Sequence, residues 1–387
     1  MQTMLWITAL LLPAATLPGC DRGRDAAGPE SAVRIGFLAA GDRASYVDAA
    51  GIAVDEINEA GGLLGQTVEL VARSGIEEPA ASVQAAGEMI LDDGVIALVG
   101  PNRSSHAVVV AETAQRHGLP MITTSATNPE VTRAGGYVFM AAFTDLFQGG
   151  VMARFAREDL GLDRVAVLTM RGEVYTEGIS EFFVSGFRGS GGTVAAEVFF
   201  DRGETDFTEA LGRLAETEPG AVFVSGFVEE IALVTRQARA LPLVDAAGEP
   251  VRFLGADAWD NPNLLAHPAA ELEGSFFSTH FSPDSDEPGA RAFVDAYRSR
   301  YGIPPTGGDA VSYDAVRLLA QAVERAGRLD PEAIRAQLAA TEDYAGATRI
   351  SGYDDRRHPS KSVVIMTIRE GEKLFHRQID PAPAGDG

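Results

Sequence analysis

Five loops in this chain carry side chains suited to holding a small charged molecule. In Gly100-Pro101-Asn102-Arg103-Ser104-Ser105, two hydroxyls stand where a helix is expected to begin. Free backbone N–H groups at such a point favour an anion such as a carboxylate. The same place also suits a serine that only caps its helix. In Ser125-Ala126-Thr127-Asn128-Pro129-Glu130, hydroxyls and backbone groups meet at a turn, and Asn128-Pro129 is itself a turn or helix starter. In Arg171-Gly172-Glu173-Val174-Tyr175-Thr176-Glu177-Gly178, Tyr175 offers an apolar face and a phenol donor able to close over a ligand. Phe227 lies in the fourth loop; Asp257 and Trp259 lie in the fifth. A carboxylate in a cleft suits an ammonium group, and at a turn it is simply a cap. Together the loops put hydroxyls and helix N-termini on one side and a carboxylate with aromatics on the other, a pattern that suits a zwitterion.

Covalent chemistry lacks its motifs. A dinucleotide site wants G-x-G-x-x-G after the first strand, and the candidates Gly36 and Gly41 have the wrong spacing. Neither a P-loop, nor H-E-x-x-H, nor G-x-S-x-G occurs, so ATPase and hydrolase readings have no machinery. The six histidines are scattered and the only cysteine is Cys20, which rules out an internal disulfide or a cysteine metal site. The expectation is a binding protein rather than an enzyme, with no cofactor and no metal.

The elements that must position these loops follow from hydropathy. From Val33 onward short apolar runs alternate with amphipathic stretches, as in parallel sheets covered by helices. Strands are expected at Val33–Leu38, Val68–Ala72, Val95–Val99 and Pro120–Thr124, and again at Val165–Met170, Val194–Phe200, Ala221–Ser225, Arg252–Gly255 and Ser275–Thr279. Val47, Gly51, Val54 and Ile57 recur at helical spacing up to a Gly61-Gly62 stop. Asp206 with Glu209 reads as a capping box, and Asn261-Pro262 and Asp330-Pro331 as helix starts. Helices are expected near Glu287–Tyr301, Gly308–Ala326 and Pro331–Ala340, and the tail reads as a hairpin turning at Glu370-Gly371. The result is an α/β protein of two βα-rich lobes, and in such sheets ligands sit beyond the carboxyl ends of the strands.

With 387 residues the chain is too long for one core. Its formal charge of −23 repels nucleic acid and anionic lipid, so neither is an expected partner. Residues 1–20 read as a lipoprotein signal peptide. The apolar run Leu5–Leu12 is too short to span a bilayer, and Leu17-Pro18-Gly19-Cys20 resembles a bacterial lipobox with Cys20 acylated. Asp21 resembles the signal that retains such lipoproteins at the inner membrane. Residues 21–30 read as a flexible tether.

The chain resembles the type I periplasmic binding proteins of branched-chain amino acid ABC transporters, the leucine/isoleucine/valine-binding group. The resemblance rests on Ala53-Val54-Asp55-Glu56-Ile57-Asn58 with Gly61-Gly62 and Gly65, on Val99-Gly100-Pro101 and on Ser125-Ala126-Thr127-Asn128-Pro129. Further matches are Tyr175-Thr176-Glu177-Gly178, Asp206-Phe207, Ser312-Tyr313-Asp314-Ala315-Val316 and the closing hairpin. It implies two Rossmann-like lobes, their parallel sheets flanked by helices, joined by a three-strand hinge. One lobe would be residues 31–142 plus 281–341, the other 143–280 plus 342–380. Carried over by position, the ligand residues are Ser104, Ser125, Thr127, Tyr175, Phe227 and Asp257, with Tyr46 as a side-chain contact. Phe227 stands where amino-acid binders often have tyrosine, and Asp257 where leucine binders have glutamate.

The resemblance further implies closure of the lobes over an amino acid, amide or similar small molecule. Delivery would be to an ABC permease from a lipid-anchored, monomeric protein on the periplasmic side of the inner membrane. The alternative is a sensor component that passes its signal to a separate membrane protein.

Overall fold

The computed structural model describes residues 32–241, 243–266 and 269–381. Cys20, the expected leader through residue 20 and the expected tether at 21–30 lie outside the described residues.

Strands β1 (Val33–Ala40), β2 (Val68–Ile76), β3 (Ala97–Val99), β4 (Met121–Thr123) and β5 (Val138–Met140) form a parallel sheet in the order β2-β1-β3-β4-β5. A strand covered on both faces reads as a continuous apolar run, and β1 is buried everywhere except Arg34. Helices α1 (Ala44–Glu59), α2 (Pro79–Leu91) and α3 (Ser104–His117) link these strands. Met89, Val110 and Ala111 of α2 and α3 cover one face, against Leu98 and Met121.

After β5 the chain passes to a second sheet. Strands β6 (Arg164–Met170), β7 (Thr193–Phe200), β8 (Ala221–Ser225), β9 (Arg252–Gly255) and β10 (Phe276–Thr279) run parallel in the order β7-β6-β8-β9-β10. Helices α4 (Asp145–Arg154), α5 (Val174–Gly189), α6 (Thr208–Ala215) and α7 (Val228–Ala240) cover it, with Phe183 stacked on Phe223 at 4.1 Å between ring centres. The capping box expected from Asp206 and Glu209 does not form. Asp206 instead accepts from the Thr208 amide and hydroxyl, and Phe207 takes the N-cap position without a side-chain bond.

After β10 the chain returns to the first sheet. Helices α8 (Pro288–Tyr301), α9 (Gly307–Ala326) and α10 (Pro331–Ala339) pack with α1 over its second face, burying Phe293, Val311, Leu319 and Ile334. The resemblance motifs meet here as scaffold. Tyr313 donates to Glu56 at 2.6 Å, while Asn58 brackets Val68, accepting from its N–H at 2.7 Å and donating to its carbonyl at 3.0 Å.

Two short ladders follow, β11 (Tyr344–Ala345) with β12 (Arg349–Ile350) and β13 (Gly352–Tyr353) with β14 (Pro359–Ser360). The sequence reading gives this stretch to the second lobe, but it lies on the first. Buried Asp314 accepts from the Tyr344 hydroxyl, the Ala347 amide and the Thr348 amide, while Tyr344, Ala347 and Ile350 join the first lobe's core. Lys361 then donates to the Ala141 carbonyl at 3.0 Å, and β15 (Val363–Arg369) and β16 (Glu372–Ile379) extend the second sheet antiparallel beside β10. The three crossings touch one another, since the His280 ring also packs 3.9 Å from that of Phe143.

Candidate functional site

Four strand-to-helix turns converge between the lobes. The residues preceding α1, α3, α5 and α7 are Arg43, Arg103, Glu173 and Phe227, and all four line one cavity. None caps its helix with a side-chain bond. Thr306 and Asp330, before α9 and α10, do cap, accepting from the Asp309 and Ala333 amides. The helix ends at the cavity thus keep first-turn N–H groups without a side-chain acceptor, the electrostatic condition for an anion.

Six of the seven ligand residues expected from the sequence line this cavity: Tyr46, Ser104, Ser125, Tyr175, Phe227 and Asp257. Thr127 does not. It is fully buried behind the wall, its carbonyl accepting the Asp145 N–H at 2.7 Å. Ser104 is the first residue of α3 and not its cap. Its buried hydroxyl accepts the Asn128 N–H at 3.2 Å and ties two cavity loops together. Asn128 in turn caps the turn at Pro129 through Glu130 N–H and donates to the Val174 carbonyl at 2.9 Å, reaching the second lobe. The Tyr46 ring rests on the bare Cα of Gly308, where an added Cβ would come within 2.0 Å of the phenol oxygen.

Asp257 organises the opposite wall. One carboxylate oxygen accepts from the Tyr175 hydroxyl at 2.9 Å and from Gln148 Nε2 at 2.9 Å; the other lies 3.4 Å from His280 Nε2. Gln148 also donates to Asp145 at 2.8 Å and accepts from Ser278 at 3.0 Å. Burial lowers the His280 pKa and keeps the imidazole neutral near pH 7. Burial, then the nearby Asp257 charge, pushes Asp145 well above the usual carboxylate range. Tyr175 is raised well above its ordinary value, again by burial first and by Asp257 second, so its phenol stays a donor. Among the described residues Asp257 therefore has hydrogen-bond partners but no Lys or Arg, and a cation is the group that would complete it.

The sequence reading missed Arg43, Glu173, Asp260 and His280 and gave no role to Arg103. Their signal was positional. Arg103, Glu173 and Asp260 lie within or beside loops singled out for their hydroxyls, aromatics and one acid, while His280 directly follows the strand expected at Ser275–Thr279, whose loop is not among them. Asp260 accepts from the Gly307 amide and the Thr279 hydroxyl, both at 2.7 Å, and pairs with Lys373 at 3.1 Å. It thereby binds the second lobe to the start of α9.

Comparison with known proteins gives a consistent set of relatives. A family model described as periplasmic binding protein matches residues 36–373. The Leu/Ile/Val-binding protein BraC3 of Rhizobium johnstonii is 30% identical over 314 residues, which cover 79% of this chain and 83% of that protein. Among solved structures, the leucine binding protein LivK of Thermotoga maritima superposes with a TM-score of 0.83 at 33% identity, over 90% of this chain and 99% of the other. The branched-chain amino acid transporter substrate binding protein LivJ of Streptococcus pneumoniae, solved with isoleucine, gives 0.82 at 29% identity, over 90% and 100%.

Proposed function

The chain belongs to the periplasmic binding protein family, and we propose that it captures an amino acid between its lobes and hands it to the permease of an ABC transporter. The observation that carries this reading is Asp257, a carboxylate on the cavity wall with no Lys or Arg beside it among the described residues. A ligand ammonium group would supply the missing charge and share the carboxylate with Tyr175. The ligand carboxylate would lie on the other wall, at Ser104 and Ser125 near the uncapped start of α3. Tyr46 and Phe227 would flank the remainder. Each lobe holds part of this set, so ligand binding favours the closed arrangement by its differential contacts. No step of covalent chemistry is proposed.

We also propose that acylated Cys20 anchors the protein to the inner membrane, on the strength of Leu17-Pro18-Gly19-Cys20. Cys20→Ala is expected to move the protein from the membrane fraction to the soluble periplasmic fraction.

A thermal-shift screen against amino acids, their amides and aromatic acids tests the capture reading, because a ligand that binds only the native state raises its melting temperature. Amino acids are expected to stabilise the wild type and to lose that effect in Asp257→Asn. Stabilisation only by molecules without an ammonium group would contradict it.

A further inference from the structure

The other charged groups of the cavity say which amino acid fits, given the capture reading above. Two of its ions already have close partners: Glu173 pairs with Arg202 at 3.2 Å, and Asp260 with Lys373 at 3.1 Å. Arg103 does not. Its side chain is only 14% exposed, Nη1 is buried without a hydrogen bond, and the nearest carboxylate, on largely exposed Glu77, stands 3.8 Å away. The guanidinium lies 4.9 Å from the centre of the Phe227 ring and backs onto Gly41, where a Cβ would come within 2.7 Å of Nη2. Burial, then the like charges of Arg202 and Arg43, lowers the Arg103 pKa, the sign of a cation short of counter-charge. Arg43 also lines the cavity, donates to the neighbouring Asp42 carbonyl at 2.8 Å, and makes no ion pair among the described residues.

Charge balance then becomes specific. Asp257, Arg43 and Arg103 are the cavity ions without a close opposite charge, and together they carry +1. A neutral zwitterion would leave one of the two cavity guanidiniums without a close opposite charge, which is costly where it is withdrawn from water. The lining contains no Leu, Ile, Val or Met to receive a branched aliphatic side chain, and Arg103 and Arg202 both lie over the Phe227 ring. We propose that the ligand is a dicarboxylic amino acid, its ammonium on Asp257 and its side-chain carboxylate on Arg103 beside Arg43. Arg103 thereby sets specificity, reading a planar carboxylate as only a guanidinium can.

The test is calorimetric titration of the protein with L-glutamate, L-aspartate, L-glutamine and L-leucine. At least one acidic amino acid is expected to bind at least about tenfold more tightly than glutamine or leucine, the scale of one charge-assisted bond. Arg103→Gln is expected to erase that preference while leaving the cooperative melting transition, and Arg43→Gln to reduce it. If Arg103→Gln does not fold, the wild-type ranking and Arg43→Gln decide. Leucine or glutamine binding as tightly as both acids would overturn this inference and leave amino-acid capture standing. Failure of every amino acid to bind would overturn both.

Discussion

The Tyr175 phenol donates to Asp257 at 2.9 Å, and its oxygen accepts the Ala258 N–H at 3.3 Å. One hydroxyl thus fixes both the direction of the carboxylate and the turn that carries it. Tyr175 stacks on Phe227 at 6.2 Å between ring centres, so the start of α5 is coupled through it to the starts of β8's and β9's following turns. Tyr175→Phe keeps the stacking and removes the bond. Ligand affinity is expected to fall about tenfold, the worth of a hydrogen bond to a charged group, as read by calorimetry.

Asp257→Asn should separate binding from stability. The substitution removes a buried charge that lacks a cation, so the melting temperature of the ligand-free protein should hold or rise. Amino-acid affinity should fall by about 2 kcal/mol or more, because the ammonium loses its counter-charge. Differential scanning calorimetry and titration of the same sample check both halves.

Gly308 is expected to tolerate no side chain. A Cβ there would meet the Tyr46 oxygen at 2.0 Å, so the tyrosine ring would have to shift within the cavity wall. Gly308→Ala should cost about 1–3 kcal/mol in denaturant unfolding and weaken ligand binding through the displaced Tyr46.

Asp314 tests the scaffold. Its buried carboxylate holds Tyr344, Ala347 and Thr348 against the first lobe, just before the last crossing to the second. Asp314→Ala would strand several buried donors and is expected to destabilise the protein by about 3–5 kcal/mol, measured by urea unfolding.

His106 gives the pH dependence its sign. On α3 it bonds to Ser82 at 2.7 Å, and burial, followed by the charge of Arg103, lowers its pKa to about 4. The folded state favours the neutral ring, so its contribution is complete above the unfolded value of about 6.5 and is lost as pH falls from there to about 4. Melting temperature should drop across that window in the wild type, and less steeply in His106→Gln.

Much of this architecture was legible because its physics is local. Continuous apolar runs marked β1, β6 and β8, and the rule that ligands gather after parallel strands led to the right loops. Strand β5 was not expected, although it lies in the continuous apolar run Tyr137–Phe143. The serine at the start of α3 was visible both as a cap and as a ligand residue, but its bond to the Asn128 N–H, from another loop, was not legible. Gln148 and His280 meet Asp257 only through the fold, being distant from it in the chain or on another strand. Glu56, Asn58, Tyr313 and Asp314 belong to segments that carry the family resemblance, yet they join helices and strands away from the cavity. These motif residues record the scaffold, while Ser125 and Tyr175 of other family segments line the cavity; the specificity is proposed to lie in Arg43, Arg103 and Asp257.

The most direct test of the central claim is a paired titration of one α-amino acid and the same acid lacking its amino group, on wild type and Asp257→Asn. The amino acid should bind the wild type far more tightly than its deaminated counterpart, and Asp257→Asn should remove most of the difference. Equal binding of the two by the wild type would contradict the assignment of Asp257 as the ammonium site.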